Sequence, residues 1–395
     1  MRGTARFLGL FAAAMLVAVG CSSEPSGDAA APEPVVDLAK LDVGPYPRVA
    51  REITTTPSWA LARYLEGMRL SSVLPLPVEI DPQFVVPQPG SRAFPRPGEN
   101  LAKTFRDTFD EDTKGLVAGF FTGARSHEDP SISQELSVHA MLFESVGAAQ
   151  SAAVALHRRG HGPDVVAEPI KSTRHPDALM LWRDDEQRVT GWMATGRFVV
   201  KVTSRSEENV ELKISDQAAV LPIADKALTV TAERLAAHTP TPVDRLQSIP
   251  VDPDKMLART LPIGRETGAD PVFPVVRDGH GALHGALDFA NTRRGYEQAG
   301  VDRVSEDKST VYRTRDAAGA RQLLVESGHD KFLRTVQTPA GLAAATCYES
   351  LRPKTVSRYY CTVSHDRYAA VVSSNQIADA QQAISAQYAI LVSTR

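Results

Sequence analysis

The stretch DGHGALHGALD, Asp278 to Asp288, sets His280 and His284 four residues apart with an aspartate at either end. On a helix that spacing puts both imidazoles on one face. Together with Asp278 or Asp288 they could then ligate a divalent metal. Gly279, Gly281 and Gly285 interrupt the run, and glycine weakens a helix interior. The competing and preferred reading is a polar loop that enters a helix, so no metal is expected. In TFDEDTKG, Asp110, Glu111 and Asp112 are consecutive; a calcium loop spaces its carboxylates at alternate positions, and a solvated loop is expected instead. His157 and His161 bracket HRRGH, a basic helix end that suits the helix dipole. The chain holds no G-x-S-x-G, G-x-x-x-x-G-K-[ST] or H-E-x-x-H, the patterns that mark a nucleophile elbow, a phosphate loop and a zinc protease. No catalytic residue and no cofactor is therefore assigned. Trp59, Trp182 and Trp192 read as core, with Trp192 on the strand face opposite Met193.

The three cysteines are Cys21, Cys347 and Cys361. The last two fall on adjacent predicted strands. If their hairpin is symmetric about Lys354, residues whose numbers sum to 708 face one another, and Cys347 and Cys361 do. Directly opposed residues of an antiparallel pair are close enough for a disulfide, and a loop of roughly 15 residues so closed is worth about 3 kcal/mol in the chain-entropy model. A redox-active pair is the alternative, but C-x-x-C spacing is absent. An offset of 170 puts the equivalent positions at Asp177 and Gly191, so only the second copy described below carries the staple.

Cys21 has a different setting. Arg2 and Arg6 are followed by the apolar run Phe7–Val19, then Gly20 and Cys21. A basic start, a short apolar core and small residues at the cut make a secretory signal, residues 1–20; the run is too short to span a bilayer. Ala18-Val19-Gly20-Cys21 resembles the bacterial lipobox, in which the cysteine sulfur takes a diacylglycerol and becomes the mature N-terminus. Ala18 stands where leucine is usual. Two or three acyl chains hold a protein firmly at a membrane. An ordinary secreted protein cut nearby, or an uncleaved anchor, are the other readings.

The elements that carry these residues follow from composition and periodicity. The chain has 395 residues, 43% hydrophobic and 23% charged, with a formal net charge of −3. That is globular composition without a basic footprint, so no nucleic-acid partner is expected. Residues 21–38 are rich in Ser, Pro, Ala and acids and read as a tether. Residues 238–255 hold four prolines and read as a linker, which leaves an N-terminal domain at 39–237 and a C-terminal domain at 256–395. In the first, ELSVHAMLF alternates as a strand, ESVGAAQSAAVALHRRG has helical spacing, and ALMLWRDD, RVTGWMA and RFVVKVTS are strands before a helix ending near ALTVTAERLAAH. In the second, STVYRTR, the helix DAAGARQLLVES with Asp316 as N-cap, AATCYES, RYYCTVS, RYAAVVSS and a final helix from about Asn375 repeat the order. Shifting by 170 residues places Arg188 on Arg358, Arg197 on Arg367, Phe198 on Tyr368, Val202 on Val372 and Ser204 on Ser374. The expectation is α+β: two related domains, each an antiparallel sheet with helices packed on one face in a β-α-β-β-β-α core. Convergent patterning is the alternative to duplication.

LDVGPYPRVARE (Leu41–Glu52), VEIDP (Val78–Pro82), GLVAGFFTGAR (Gly115–Arg125) and the tail RYAAVVSSNQIADAQQAISAQYAIL together resemble an uncharacterised family of actinobacterial lipoproteins, whose members are similar over nearly the whole mature chain in two successive domains. No catalytic residue carries over from a family without an established activity. The resemblance implies a lipid anchor at Cys21 and a place on the extracytoplasmic face of the cell membrane. The tail around Cys361 is also similar to the extracellular sensor domain of mycobacterial serine/threonine kinases, although such sensors have more cysteines. The sequence is thus read as a lipid-anchored envelope protein that binds a small molecule or an envelope protein partner between two domains; the alternative is an envelope hydrolase with an unrecognised site.

Overall fold

The computed structural model describes residues 36–394, apart from 55, 89, 95–102, 161–164, 264–273, 329–330 and 353–356, together with side chains other than those of 103–107 and 327. Cys21, the signal and most of the tether lie outside the described residues, as do His161 and the Lys354 turn.

Two antiparallel sheets form the frame. The first contains β1 (Val86–Pro87), β2 (Arg92–Phe94), β3 (Leu116–Arg125), β4 (Gln134–Phe143), β5 (Glu168–Ile170), β6 (Leu179–Arg183), β7 (Arg188–Thr195) and β8 (Phe198–Ser206). Its order is β1-β3-β4-β8-β7-β6-β5, with β2 also paired to β3. The second contains β9 (Val275–Asp278), β10 (Arg303–Glu306), β11 (Ser309–Arg313), β12 (Leu333–Val336), β13 (Thr346–Ser350), β14 (Tyr359–His365) and β15 (Tyr368–Ser374). Read from β9, its order is β9-β10-β11-β15-β14-β13-β12. The two orders correspond strand for strand. The β-α-β-β-β-α pattern is present in each, with one further short strand, β5 or β12, at the sheet edge.

Local detail repeats as well. Phe143 N donates to Arg197 O at 2.8 Å, and Thr314 N donates to Arg367 O at 2.8 Å. The β7–β8 and β14–β15 turns each put one residue in the left-handed region, Gly196 (φ 56°) and Asp366 (φ 48°), 170 positions apart. The fold is α+β, built from two related domains.

The helices are α1 (Trp59–Leu70), α2 (Pro77–Ile80), α3 (Lys103–Asp112), α4 (Val146–Arg159), α5 (Glu207–Leu212), α6 (Gln217–Ala236), α7 (Gly279–Leu283), α8 (Phe289–Ala299), α9 (Ala317–Ser327) and α10 (Ile377–Ser393). Ser145 and Asp316 cap α4 and α9 by accepting from Ala148 N at 3.1 Å and Gly319 N at 2.8 Å, which satisfies amides with no partner inside the helix.

Helices cover both faces of each sheet, where one covered face was expected. Val200 and Val202 of β8 pack in one cluster with Val220, Ile223 and Leu228 of α6. Val199 packs on the reverse face with Trp192, Met141 and the alanines Ala149, Ala152 and Ala153 of α4. In the second sheet Ala369 packs with Ala320 and Leu323 of α9, while the opposite face meets α10 through His365 and Tyr388, ring centroids 5.8 Å apart. The physical reason is composition: β8 is apolar at consecutive positions, so neither face can be left to water.

Cys347 and Cys361 are directly opposed in the β13–β14 register and form a disulfide, with Cα atoms 4.1 Å apart. In the first sheet Gly191 faces Met180, not Asp177 as a constant offset predicts. The β6–β7 hairpin is shorter than its counterpart, which moves the partner. A Cβ added at Gly191 would meet Met180 Cε at 3.1 Å, so the methionine fills the space that the disulfide takes in the second copy.

The two halves share one core. Val275, Leu283 and Phe289 of the second half belong to the same buried cluster as α1 and α6 of the first. Residues 238–255, read from their prolines as a linker, pack as a strap: Leu246 and Ile249 are buried. A second strap precedes α1. Leu41 and Val43 are buried, Tyr46 Oη donates to Asp379 Oδ1 at 2.7 Å, and Arg51 pairs with Asp307 at 2.6 Å. The chain therefore touches the second copy before it builds the first. Among the described residues, no helix is long and apolar enough to cross a membrane.

Candidate functional site

The joint between the halves collects polar chemistry and open space. Glu79, on the one-turn α2, is its electrostatic centre. One carboxylate oxygen accepts from Arg293 Nη2 at 2.6 Å; the other accepts from Leu76 N and Arg234 Nη1 at 2.9 Å and lies 3.3 Å from His280 Nε2. Arg234 comes from the first half, and His280 and Arg293 from the second, so Glu79 ties the copies together. Burial alone would raise its carboxyl. The hydrogen bonds from His280 and the Leu76 amide, with the charges of His280 and Arg234, outweigh burial and hold it down at about 2.

His284 lies beside this cluster, buried against Phe120 at a ring separation of 5.1 Å, with Nδ1 2.9 Å from Thr122 Oγ1. Burial, then the charges of His280 and Arg277, push its imidazole down to about 3, so the ring is neutral. His280 and His284 are in edge-to-face contact at 5.6 Å. The four-residue spacing does bring them together, but as parts of a hydrogen-bonded network: His280 Nε2 faces Glu79 and His284 Nδ1 faces Thr122. Asp278 caps α7 through Gly281 N at 2.7 Å, and Asp288 caps α8 through Asn291 N at 2.9 Å. Among the described residues, no group of three His, Cys, Asp or Glu side chains is placed to hold a metal.

Next to this cluster a groove of about 460 Å³ opens between α1, the 238–255 strap and the β9–β10 edge. Leu65, Met68, Ile249, Val251 and Val276 make its apolar lining; Arg69, Ser72, Thr241, Asp278 and Arg303 supply polar groups. These are fixed in place. Fully buried Glu66 accepts from Arg69 Nη1 at 2.9 Å, Thr241 N at 2.9 Å and Thr241 Oγ1 at 2.8 Å. Arg303 Nε donates to Asp254 at 3.0 Å. Asp278, the carboxylate in the lining, caps α7, and on the strap Asp252 accepts from Leu257 N at 2.6 Å and Ala258 N at 2.9 Å. The arrangement can enclose an apolar body and hydrogen-bond its polar end, the usual make-up of a small-molecule site.

Residues 53–251 match the model of the N-terminal domain, and residues 256–394 that of the C-terminal domain, of a family described as domain of unknown function DUF7373. The chain belongs to the DUF7373 family. No curated protein matches it. The two family domains coincide with the two sheets, and the groove of this DUF7373 protein lies at their joint.

The other sequence candidates are dispersed. Cys347 and Cys361 sit in the second sheet, and Cys21 lies outside the described residues. His157 packs edge-on against Trp192 at 5.8 Å. Asp112 pairs with Arg159 at the end of α4. Trp192 and Met193 do occupy opposite faces, Trp182 is buried, and Trp59 is half exposed at the start of α1. Sequence reasoning missed Glu66, Glu79, Arg234 and Arg293. A carboxylate in a one-turn helix with partners more than 150 residues away leaves no local pattern.

Proposed function

We propose that this chain is a lipid-anchored protein of the cell envelope that binds a small molecule, without catalysis, in the groove between its two domains. The observation that carries the reading is the groove itself, apolar within and ringed by polar groups already fixed by protein partners. Its lining carboxylate, Asp278, is engaged by a backbone amide, and Glu66, which accepts from the Thr241 hydroxyl, is fully buried and held by Arg69 and the Thr241 amide. Anchoring rests on the basic-apolar-cysteine pattern at residues 2–21.

Protein isolated from its own membranes, purified and extracted with solvent, should yield a small molecule visible by mass spectrometry. Ser248→Trp, which fills the groove from an exposed position on its rim, should lose that species while remaining folded. An extract identical to the buffer blank overturns the binding reading. Cys21→Ala should shift the protein from the membrane to the aqueous fraction; retention in the membrane overturns the anchor.

A further inference from the structure

Apart from the groove, the first sheet carries a row of side chains that packing does not explain. Phe121, His139, Lys201 and Trp192 are successive register partners on β3, β4, β8 and β7, so they share one face. Arg92 of β2 is the register partner of Phe121 and extends the row. Phe94 and Phe121 wall His139, with ring centroids at 6.2 and 4.7 Å. The adjacent row is a line of hydroxyls, since Ser137, Thr203 and Thr190 are also register partners.

Two features of the row stand out. Lys201 is half-buried, yet forms no ion pair with any described carboxylate. The next row along this face is Glu135, Arg205 and Arg188, and the two arginines pair with Glu207 and Glu186 beyond the strand ends. Also, His139 Nδ1 and Thr190 Oγ1 are buried without a hydrogen-bond partner among the described residues. Burial, then the charge of Arg188, push the Lys201 amine down; burial, then the charges of Lys201 and Arg92, push His139 well down. A fold gains nothing from a desolvated ammonium set among other cations, because the cost of removing it from water is not returned by a partner. Such a cluster does suit a ligand that brings the missing charge.

We propose that Lys201, with His139 and the Ser137–Thr203 hydroxyls, forms a binding site for a small oxyanion, a phosphate ester or a carboxylate. Lys201 supplies the charge, and the imidazole and hydroxyls supply hydrogen bonds. Phe94, Phe121 and Trp192 bound the site with apolar rings.

The test uses the whole folded chain with inorganic phosphate in one arm and acetate in the other, each against chloride at equal ionic strength. Phosphate or acetate near ten times its dissociation constant should slow acylation of Lys201 by an amine-reactive reagent about tenfold, as occupancy requires, with labelling of exposed Lys213 unchanged. The arm that protects identifies the oxyanion. Lys201→Met should unfold at a higher temperature than wild type in chloride and lose the anion-induced rise in melting temperature. Absence of protection in both arms, or a melting shift equal in Lys201→Met and wild type, overturns the site. Because the labelling experiment uses the unsubstituted chain, it decides the matter even if the variant does not fold.

Discussion

His284 and Glu79 show how single residues bind the two halves into one body. In the folded state His284 stays neutral and Glu79 stays charged, with both groups held below their usual ranges. The unfolded chain therefore takes up more protons than the folded one as the solution is acidified, and stability falls with pH. The His284 contribution is complete above about pH 6.5 and drains toward pH 3; that of Glu79 is complete above about pH 4.5 and drains toward pH 2. Between pH 7 and pH 5, His284 alone should cost about 2 kcal/mol. Denaturant unfolding at both values checks this: His284→Phe should show an acid loss smaller by about that amount, and an equal loss contradicts the assignment. The sequence showed the His280–His284 spacing and hence their proximity. It could not show what engages each ring. Glu79 and Thr122 arrive from distant segments, and their hydrogen bonds turn an apparent ligand pair into an interface.

At the scale of elements, periodicity was a good guide wherever a strand or helix is long. The hairpin symmetry that pairs Cys347 with Cys361 was legible because both arms alternate regularly and lie close together in the sequence. Edge strands β5 and β12 were missed: EPI and LRTV are short, and their residues are half-buried or exposed, so they carry no apolar signature. The second covered face was missed because α4 packs through alanines, which allow close approach to the sheet but register weakly as an apolar stripe. Strand correspondence makes a prediction of its own. If Gly191 and Met180 occupy the places of Cys361 and Cys347, then Met180→Cys with Gly191→Cys should close a disulfide in the first copy. The bridge should be detectable as two hydrogens lost from the intact mass, with a gain of about 2–3 kcal/mol from the short loop closed. Thiols that stay free in the oxidised folded protein would show that the two hairpins are not equivalent.

For the whole molecule, two copies of one architecture share a core, and the groove exists only where they meet. The joint is held by the Glu79 cluster, by Leu283 and Phe289 packed into the core of the first half, and by the 238–255 strap. The strap was the least legible part, since proline content marks a break in regular structure but does not say whether the segment is packed. Leu246 and Ile249 are buried, and so convert it into part of the groove wall. The functional account depends on this joint being a fixed feature. Differential scanning calorimetry of the whole folded chain tests it directly. One transition with equal calorimetric and van't Hoff enthalpies is predicted, as expected for a single cooperative unit; two resolved transitions would mean that the copies unfold independently and that the groove is not a built site.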